Sequence, residues 1–417
     1  MTAFQTIAIL LTFAATGSYI NNRLLKLPTS VGMMLFALLL SWAVMGSARL
    51  GLIDLSPATD FVSSIDFSSI FLHGMLSFLL FAGALHVDLN ELKKYRIVVA
   101  FLATIGVVLA TFVTGSLVWW VAQILGFDMP YLYALLFGAL ISPTDPVAVL
   151  GILRGSQIAK SLRLKIGSES LLNDGVGVVV FLVLLGFTTH PQTATQPALG
   201  MIALLVIWEA IGSILLGLAL GWLAYVLLRG VDDYKTEVLL TLAVAAGGYS
   251  FAEVVNVSAP IAMVIAGLVI GNHGRAFVMS DRTRKHLDMF WELLDDILNA
   301  VLFVLMGLEI MIMPITNNML VIGLVAIMAT LVGRLISVAI PISLMRSHLR
   351  FERGAIRLLT WGGLRGGISI AMALSLPAGP YKNVILGMTY LTVVFSVLFQ
   401  GTTFSHLVKW VMRKPAS

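Results

Sequence analysis

Ile141-Ser142-Pro143-Thr144-Asp145-Pro146 lies inside an apolar run that covers residues 131–153. Two prolines three residues apart delete two helical N–H donors and free carbonyls one turn back, so a helix running through this stretch breaks there. In hydrocarbon an open backbone is tolerated only where protein or a cavity surrounds it. A kink alone would not require a charged residue between the prolines. The stretch therefore predicts an intramembrane site built on an interrupted helix.

The remainder of the chain has the composition of a membrane protein. Of 417 residues, 59% are hydrophobic and 11% are charged, against roughly 25% charged in a typical soluble domain. Hydropathy divides the sequence into about thirteen apolar segments: 3–20, 30–46, 68–85, 97–124, 131–153, 167–186, 198–228, 237–255, 258–271, 291–313, 317–345, 355–378 and 383–408. This predicts an all-α polytopic membrane protein forming one transmembrane domain over 1–417, with no room for a soluble domain. Met1 to Gln5 carries no basic residue, so the first segment reads as a retained helix and not as a cleaved signal. The absence of cysteine removes disulfides, thiolate nucleophiles and Cys-ligated zinc.

Positive charge sorts the connections into two sets. One set holds 22 of the 26 basic residues: Arg23 and Lys26; Lys93, Lys94 and Arg96; Arg154, Lys160, Arg163 and Lys165; Arg229 and Lys235; Arg275, Arg282, Arg284 and Lys285; Arg346, Arg350, Arg353 and Arg357; Lys409, Arg413 and Lys414. The opposite set has only Arg49 and Lys382. The basic set is expected to be cytoplasmic, with the N-terminus outside and the C-terminus inside. Topology thus accounts for the net charge of +5 without a nucleic-acid partner. The two arginines left over, Arg334 and Arg365, fall inside apolar segments and need a partner or a purpose.

Acids in or near the segments are Asp145, Glu169, Asp174, Glu209, Glu253, Asp295, Asp296 and Glu309. A rise of about 1.5 Å per residue puts Asp145, Asp174, Arg334 and Arg365 at about 10–16 Å from one face. Four separate segments bring charge to one layer. The sixth segment opens Gly167-Ser168-Glu169-Ser170-Leu171-Leu172-Asn173-Asp174-Gly175. Helical spacing sets Glu169 over Asn173 and Ser170 over Asp174, an oxygen-rich face. Ser168 and Glu169 also suit a plain helix N-cap and first-turn acid. The twelfth contains Thr360-Trp361-Gly362-Gly363-Leu364-Arg365-Gly366-Gly367-Ile368-Ser369, whose glycines permit either close packing or unwinding. Segments five and twelve run in opposite directions, so two interrupted helices at matching places point to inverted repeats, roughly 1–190 and 235–417, around a midplane ion site.

Two carboxylates, a hydroxyl and freed carbonyls make a hard-oxygen cage suited to alkali cations or protons and unsuited to zinc or copper. A carboxylate there can trade a proton for a metal cation, which couples two ion flows. A cation channel would need a repeated filter or charged rings, and none is visible. An intramembrane hydrolase could use Asp145 and Asp174 as a dyad, but Thr144 and Asn173 build a polar cage around them instead of an open water site. The seven histidines mostly sit in or beside connections, where solvated side chains are expected; His273 and His286 are candidates for pH sensing.

Together the runs 142–147, 169–175 and 361–369 resemble the signatures of NhaP-type sodium/proton antiporters, relatives of the animal sodium/proton exchangers. The resemblance covers nearly the whole chain, without the animal proteins' regulatory tail. It implies an NhaA-like antiporter fold of about thirteen spans with two crossed, unwound helices. It further implies a homodimer in the plasma (inner) membrane, no enzymatic activity, no cofactor, and Na+, Li+ or K+ exchanged for protons. Carried over to this sequence, Asp174 is the main cation and proton carrier. Asp145, Ser170 and Thr144 complete the Na+ shell. Asn173 bonds Thr144, and Glu169 meets the ion through water or pairs with Arg334 or Arg365. Pro143 and Pro146 shape the break. Asparagine at 173 implies electroneutral exchange of one cation for one proton.

Overall fold

The computed structural model describes residues 2–146, 149–150, 153, 160–189, 196–274, 279–313, 317–346, 351–352 and 354–413. Its helices are α1 (Ala3–Ile20), α2 (Thr29–Arg49), α3 (Ser56–Ser63), α4 (Phe67–Leu85), α5 (Leu89–Ala103), α6 (Ile105–Ile124), α7 (Tyr131–Ile141), α8 (Lys160–Thr189), α9 (Gln196–Leu228), α10 (Tyr234–Val254), α11 (Ala259–Val269), α12 (Asp281–Leu308), α13 (Asn317–Met345), α14 (Ala355–Trp361), α15 (Gly367–Leu374), α16 (Lys382–Phe395) and α17 (Gly401–Arg413). The one extended pairing among the described residues is an isolated antiparallel bridge between Asp145 and Leu364. Helix is found within every one of the thirteen apolar segments. Among the described residues, eight helices are long and apolar enough to cross a membrane, and the chain is a multi-pass membrane protein.

Three helices begin seven or more residues earlier than hydropathy places them. The sixth segment starts at Lys160 instead of 167, so Lys160, Arg163 and Lys165 are helical and not part of a connection. Lys165 is buried because its ammonium donates to both carboxylate oxygens of Glu352, at 3.0 and 2.7 Å, and lies 4.6 Å from the centre of the Tyr95 ring. A hydropathy window scores such a paired lysine as though it were solvated. The same correction moves Ser168 and Glu169 to the third turn of α8, which rules out the N-cap reading, and sets Asp174 about four turns into the helix. The fourth segment starts at Leu89, where Asp88 accepts from the N–H of Asn90 at 2.8 Å; Lys93, Lys94 and Arg96 are therefore helical. The tenth starts at Asp281, with Ser280 accepting from the Thr283 N–H at 3.3 Å. Arg282, Arg284 and Lys285 ride on that first amphipathic stretch. Arg154, Arg275, Arg350, Arg353 and Lys414 lie outside the described residues.

The breaks fall where the prolines and glycines are. α7 stops at Ile141 ahead of Pro143, and the chain between α14 and α15 is unwound from Gly362 to Gly366. α6, α8 and α13 pack round these breaks, while α2 braces α12 through Ser41, whose hydroxyl donates to the Gly307 carbonyl at 3.1 Å. In hydrocarbon such packing and hydrogen bonding, and not water exclusion, hold helices together.

Candidate functional site

The two interrupted helices meet at their breaks. The Asp145 N–H donates to the Leu364 carbonyl at 2.8 Å, joining the open backbone of one to that of the other. Each helix leaves unpaired carbonyls where it stops, and a buried arginine takes them up. Arg365 Nη1 donates to the carbonyls of Ser142 at 2.5 Å and Pro143 at 3.1 Å, at the end of α7. Arg334 Nη2 donates to the Leu359 carbonyl at 3.1 Å, in the last turn of α14. A cation at a helix C-terminus also complements the dipole. The carbonyls of Ser142 and Pro143, expected to join an ion cage, are thus engaged by Arg365, whose buried guanidinium takes the place of a cation at them.

Arg334 meets Glu169 with Nη1 to Oε1 at 2.5 Å, and both are buried. Of the two arginines, Arg334 is the partner of Glu169. Asn173 holds Thr144 from two sides: its Oδ1 accepts the Thr144 N–H at 3.1 Å and its Nδ2 donates to Thr144 Oγ1 at 2.8 Å. Thr144 Oγ1 is also hydrogen-bonded to Ser170 Oγ across 2.9 Å. These bonds fasten the extended segment to α8 and fix the height of Asp145 relative to Asp174.

Glycine is required where the segments touch. A Cβ on Gly366 would stand 2.6 Å from Asp145 Oδ2, and one on Gly363 would strike the Arg334 guanidinium. The Asp145 carboxylate therefore abuts the first residues of α15, where the positive end of a helix dipole faces it.

Asp145 and Asp174 line one cavity of about 630 Å³. Pro146, Gly366 and Gly367 share its wall, which continues to His86 and Arg163 at the basic end of the protein. One carboxylate oxygen of Asp174, Oδ1, is buried and accepts no hydrogen bond from the described residues. A buried acceptor without a donor calls for an ion, a proton or water. Thr144, Ser170, Asn173, Glu169, Arg334, Arg365 and Pro143 do not line the cavity; they stand behind its two carboxylates.

Asp295, Asp296 and Asn299 of α12 face the same cavity, together with Ser30. The acids were legible as intramembrane charges, but nothing in the sequence assigned α12 to this wall. A signal is the spacing of four between Asp295 and Asn299, whose Nδ2 donates to Asp295 Oδ1 at 3.1 Å. The other acids lie elsewhere. Glu309 is buried at the end of α12 and Glu209 is half-buried on α9. Glu253 pairs with His73, Oε1 to Nδ1 at 2.5 Å. His286 is half-buried and stacks on Tyr234 at 4.4 Å between ring centres, while His190 and His348 lie outside the described residues.

The sodium/hydrogen exchanger transmembrane family model matches residues 9–410. The chain is 45% identical over 412 residues to the Na(+)/H(+) antiporter NhaP of Pseudomonas aeruginosa, covering 98% of this chain and 95% of that one. It is 33% identical over 409 residues to the antiporter NhaH of Halobacillus dabanensis, covering 97% of each. Among solved structures, the sodium proton antiporter MjNhaP1 of Methanocaldococcus jannaschii superposes with a TM-score of 0.76 at 21% identity, over 99% of this chain and 100% of that one. The two share a fold. Such relatives are transporters and not enzymes, and the ions they exchange are substrates, so no cofactor is called for. An interrupted-helix site inside a chain that matches the exchanger model almost from end to end places this protein in the sodium/hydrogen exchanger family.

Proposed function

We propose that this protein is a secondary antiporter that exchanges Na+, Li+ or K+ for protons by alternating access, one cation for one proton. The observation that carries this reading is the buried, donor-free Oδ1 of Asp174 beside Asp145, in a cavity that reaches the basic end of the protein. Asp174 is the carrier: it holds either the cation or the proton, never both. Asp145 contributes the second carboxylate, and Ser170 and Thr144, which bond each other behind the two carboxylates here, complete the shell by hydroxyl or main-chain oxygen when the cation binds. Asn173, Pro143 and Pro146 keep the break in shape, Arg365 compensates it, and Arg334 neutralises Glu169.

Access from one side at a time is supported by the packing beyond the carboxylates. There Ser68 donates to the Ala371 carbonyl at 3.1 Å, and the Tyr133 ring lies 4.7 Å from that of Tyr381. With the basic end cytoplasmic, the cavity faces the cell interior and these contacts close the outside. The same reading has the N-terminus outside, the C-terminus inside, thirteen spans in inverted repeats of roughly 1–190 and 235–417, an NhaA-like arrangement, and a homodimer in the plasma membrane.

Purified protein in proteoliposomes with an entrapped pH dye tests the proposal. A cation gradient is expected to drive proton flux in the opposite direction with wild-type protein and none with Asp174→Asn. Wild-type vesicles in which Na+, Li+ and K+ all leave the internal pH unmoved would overturn it.

A further inference from the structure

A second cavity, of about 580 Å³, lies outside the carboxylate layer at the corner where α13 ends and α14 begins. Ile342, Arg346, Glu352, Arg357, Trp410 and Val411 line it. The one acid among the described residues of its wall is already matched, since Lys165 Nζ sits 2.7 Å from Glu352 Oε2 while itself buried. Arg346 and Arg357 therefore leave the cavity with a net positive charge. Both are exposed, and the Arg357 guanidinium rests over the Trp410 indole, 5.2 Å from the ring centre. A guanidinium stacked on an aromatic face is held flat and keeps in-plane N–H donors for an oxyanion.

We propose that this cavity binds the phosphate headgroup of an anionic phospholipid. A lipid is favoured over soluble phosphate by where the cavity lies. It opens at the ends of helices long and apolar enough to span a bilayer, and Trp410 is 46% exposed in its wall. Leu344, in the last turn of α13, is 73% exposed. An exposed indole beside arginines at a span end is the chemistry of the bilayer interface, and a basic pocket between helix ends is suited to an anionic headgroup. The position has a consequence for transport. Arg346 follows directly on α13, the helix that carries Arg334, and Arg357 belongs to α14, whose last turn Arg334 caps. A headgroup held by both would brace the corner leading into the unwound segment Gly362–Gly366.

Native mass spectrometry of the purified full-length chain, offered equal phosphatidylglycerol and phosphatidylcholine, tests this. Wild-type protein is expected to retain phosphatidylglycerol preferentially. Arg346→Gln/Arg357→Gln should lower that preference by about twenty-five-fold, at about fivefold per arginine near an anionic surface. Lys409→Gln, at the same end but outside the cavity wall, should leave it unchanged. Equal retention of the two lipids by wild type, or an undiminished preference in the double variant, overturns the proposal. Full displacement of phosphatidylglycerol by millimolar glycerol phosphate also overturns it, in favour of a soluble phosphate ligand. If the double variant fails to fold, either single substitution carries the same test with about a fivefold loss.

Discussion

Arg365 donates to the carbonyl of Ser142 across 223 residues of sequence, and in doing so ends one broken helix with a charge from the break in another. Arg334 does the same for α14 through Leu359 while also neutralising Glu169. The two arginines are not equivalent. Arg334→Ala leaves a buried carboxylate without its counter-charge, at a cost of about 3–5 kcal/mol. Arg365→Ala leaves carbonyls without donors, at about 1–3 kcal/mol each. In detergent, Arg334→Ala is expected to melt well below wild type, and adding Glu169→Gln should recover part of the loss. If Arg334→Ala melts with wild type, the pair does not hold the two helices together.

Asp174→Asn is expected to abolish exchange and leave melting nearly unchanged, because the amide keeps the volume but loses the charge and the titratable proton. Asp145→Asn should impair exchange severely, since it weakens the field that draws a cation to Asp174. Dye-loaded proteoliposomes measure both. Cation-driven proton flux at the wild-type rate in Asp174→Asn would assign the carrier role to another group, with Asp295 and Asp296 on the same cavity wall the next to examine.

The break after α7 was legible because two prolines three residues apart delete two helical N–H donors, and the glycines of 362–367 could be read as unwinding or as close packing. Both follow from local backbone chemistry. The partner of Glu169 was not legible, since Arg334 and Arg365 lie at similar depth and only packing decides which reaches α8. Nor was the true start of α8. The pairing of Lys165 with Glu352 spans 187 residues, and hydropathy averages over near neighbours. The contribution of α12 to the cavity failed to show for the same reason: Asp295 and Asp296 were visible as charges, but the wall they join is built from five other parts of the chain.

Gly366→Ala adds a methyl group that would stand 2.6 Å from Asp145 Oδ2. Backbone on one side and a charged cavity wall on the other leave the carboxylate as the group that must shift. Cation affinity should therefore fall more than stability does. Transport assays across a range of Na+ are expected to show a KM raised several-fold with a smaller change in melting temperature. A variant with wild-type KM would mean that Asp145 does not contact the cation from its present position.

Asn173 ties Thr144 to α8 and is also the neutral neighbour of the proposed carrier. Asn173→Ala removes both bonds and leaves the Thr144 N–H buried without an acceptor, a loss of about 1–3 kcal/mol. Asn173→Asp is more informative. It keeps an acceptor for the Thr144 N–H, gives up the donor to Thr144 Oγ1, and sets a second acid beside Asp174. If exchange is one cation for one proton because position 173 is neutral, wild-type turnover should not respond to membrane potential, whereas Asn173→Asp should lose rate and acquire a response. Proteoliposomes clamped with a potassium gradient and valinomycin measure this. A wild-type rate, or an equilibrium cation gradient, that follows the clamped potential excludes the one-for-one cycle and requires a second proton carried on Asp145 or on the acids of α12.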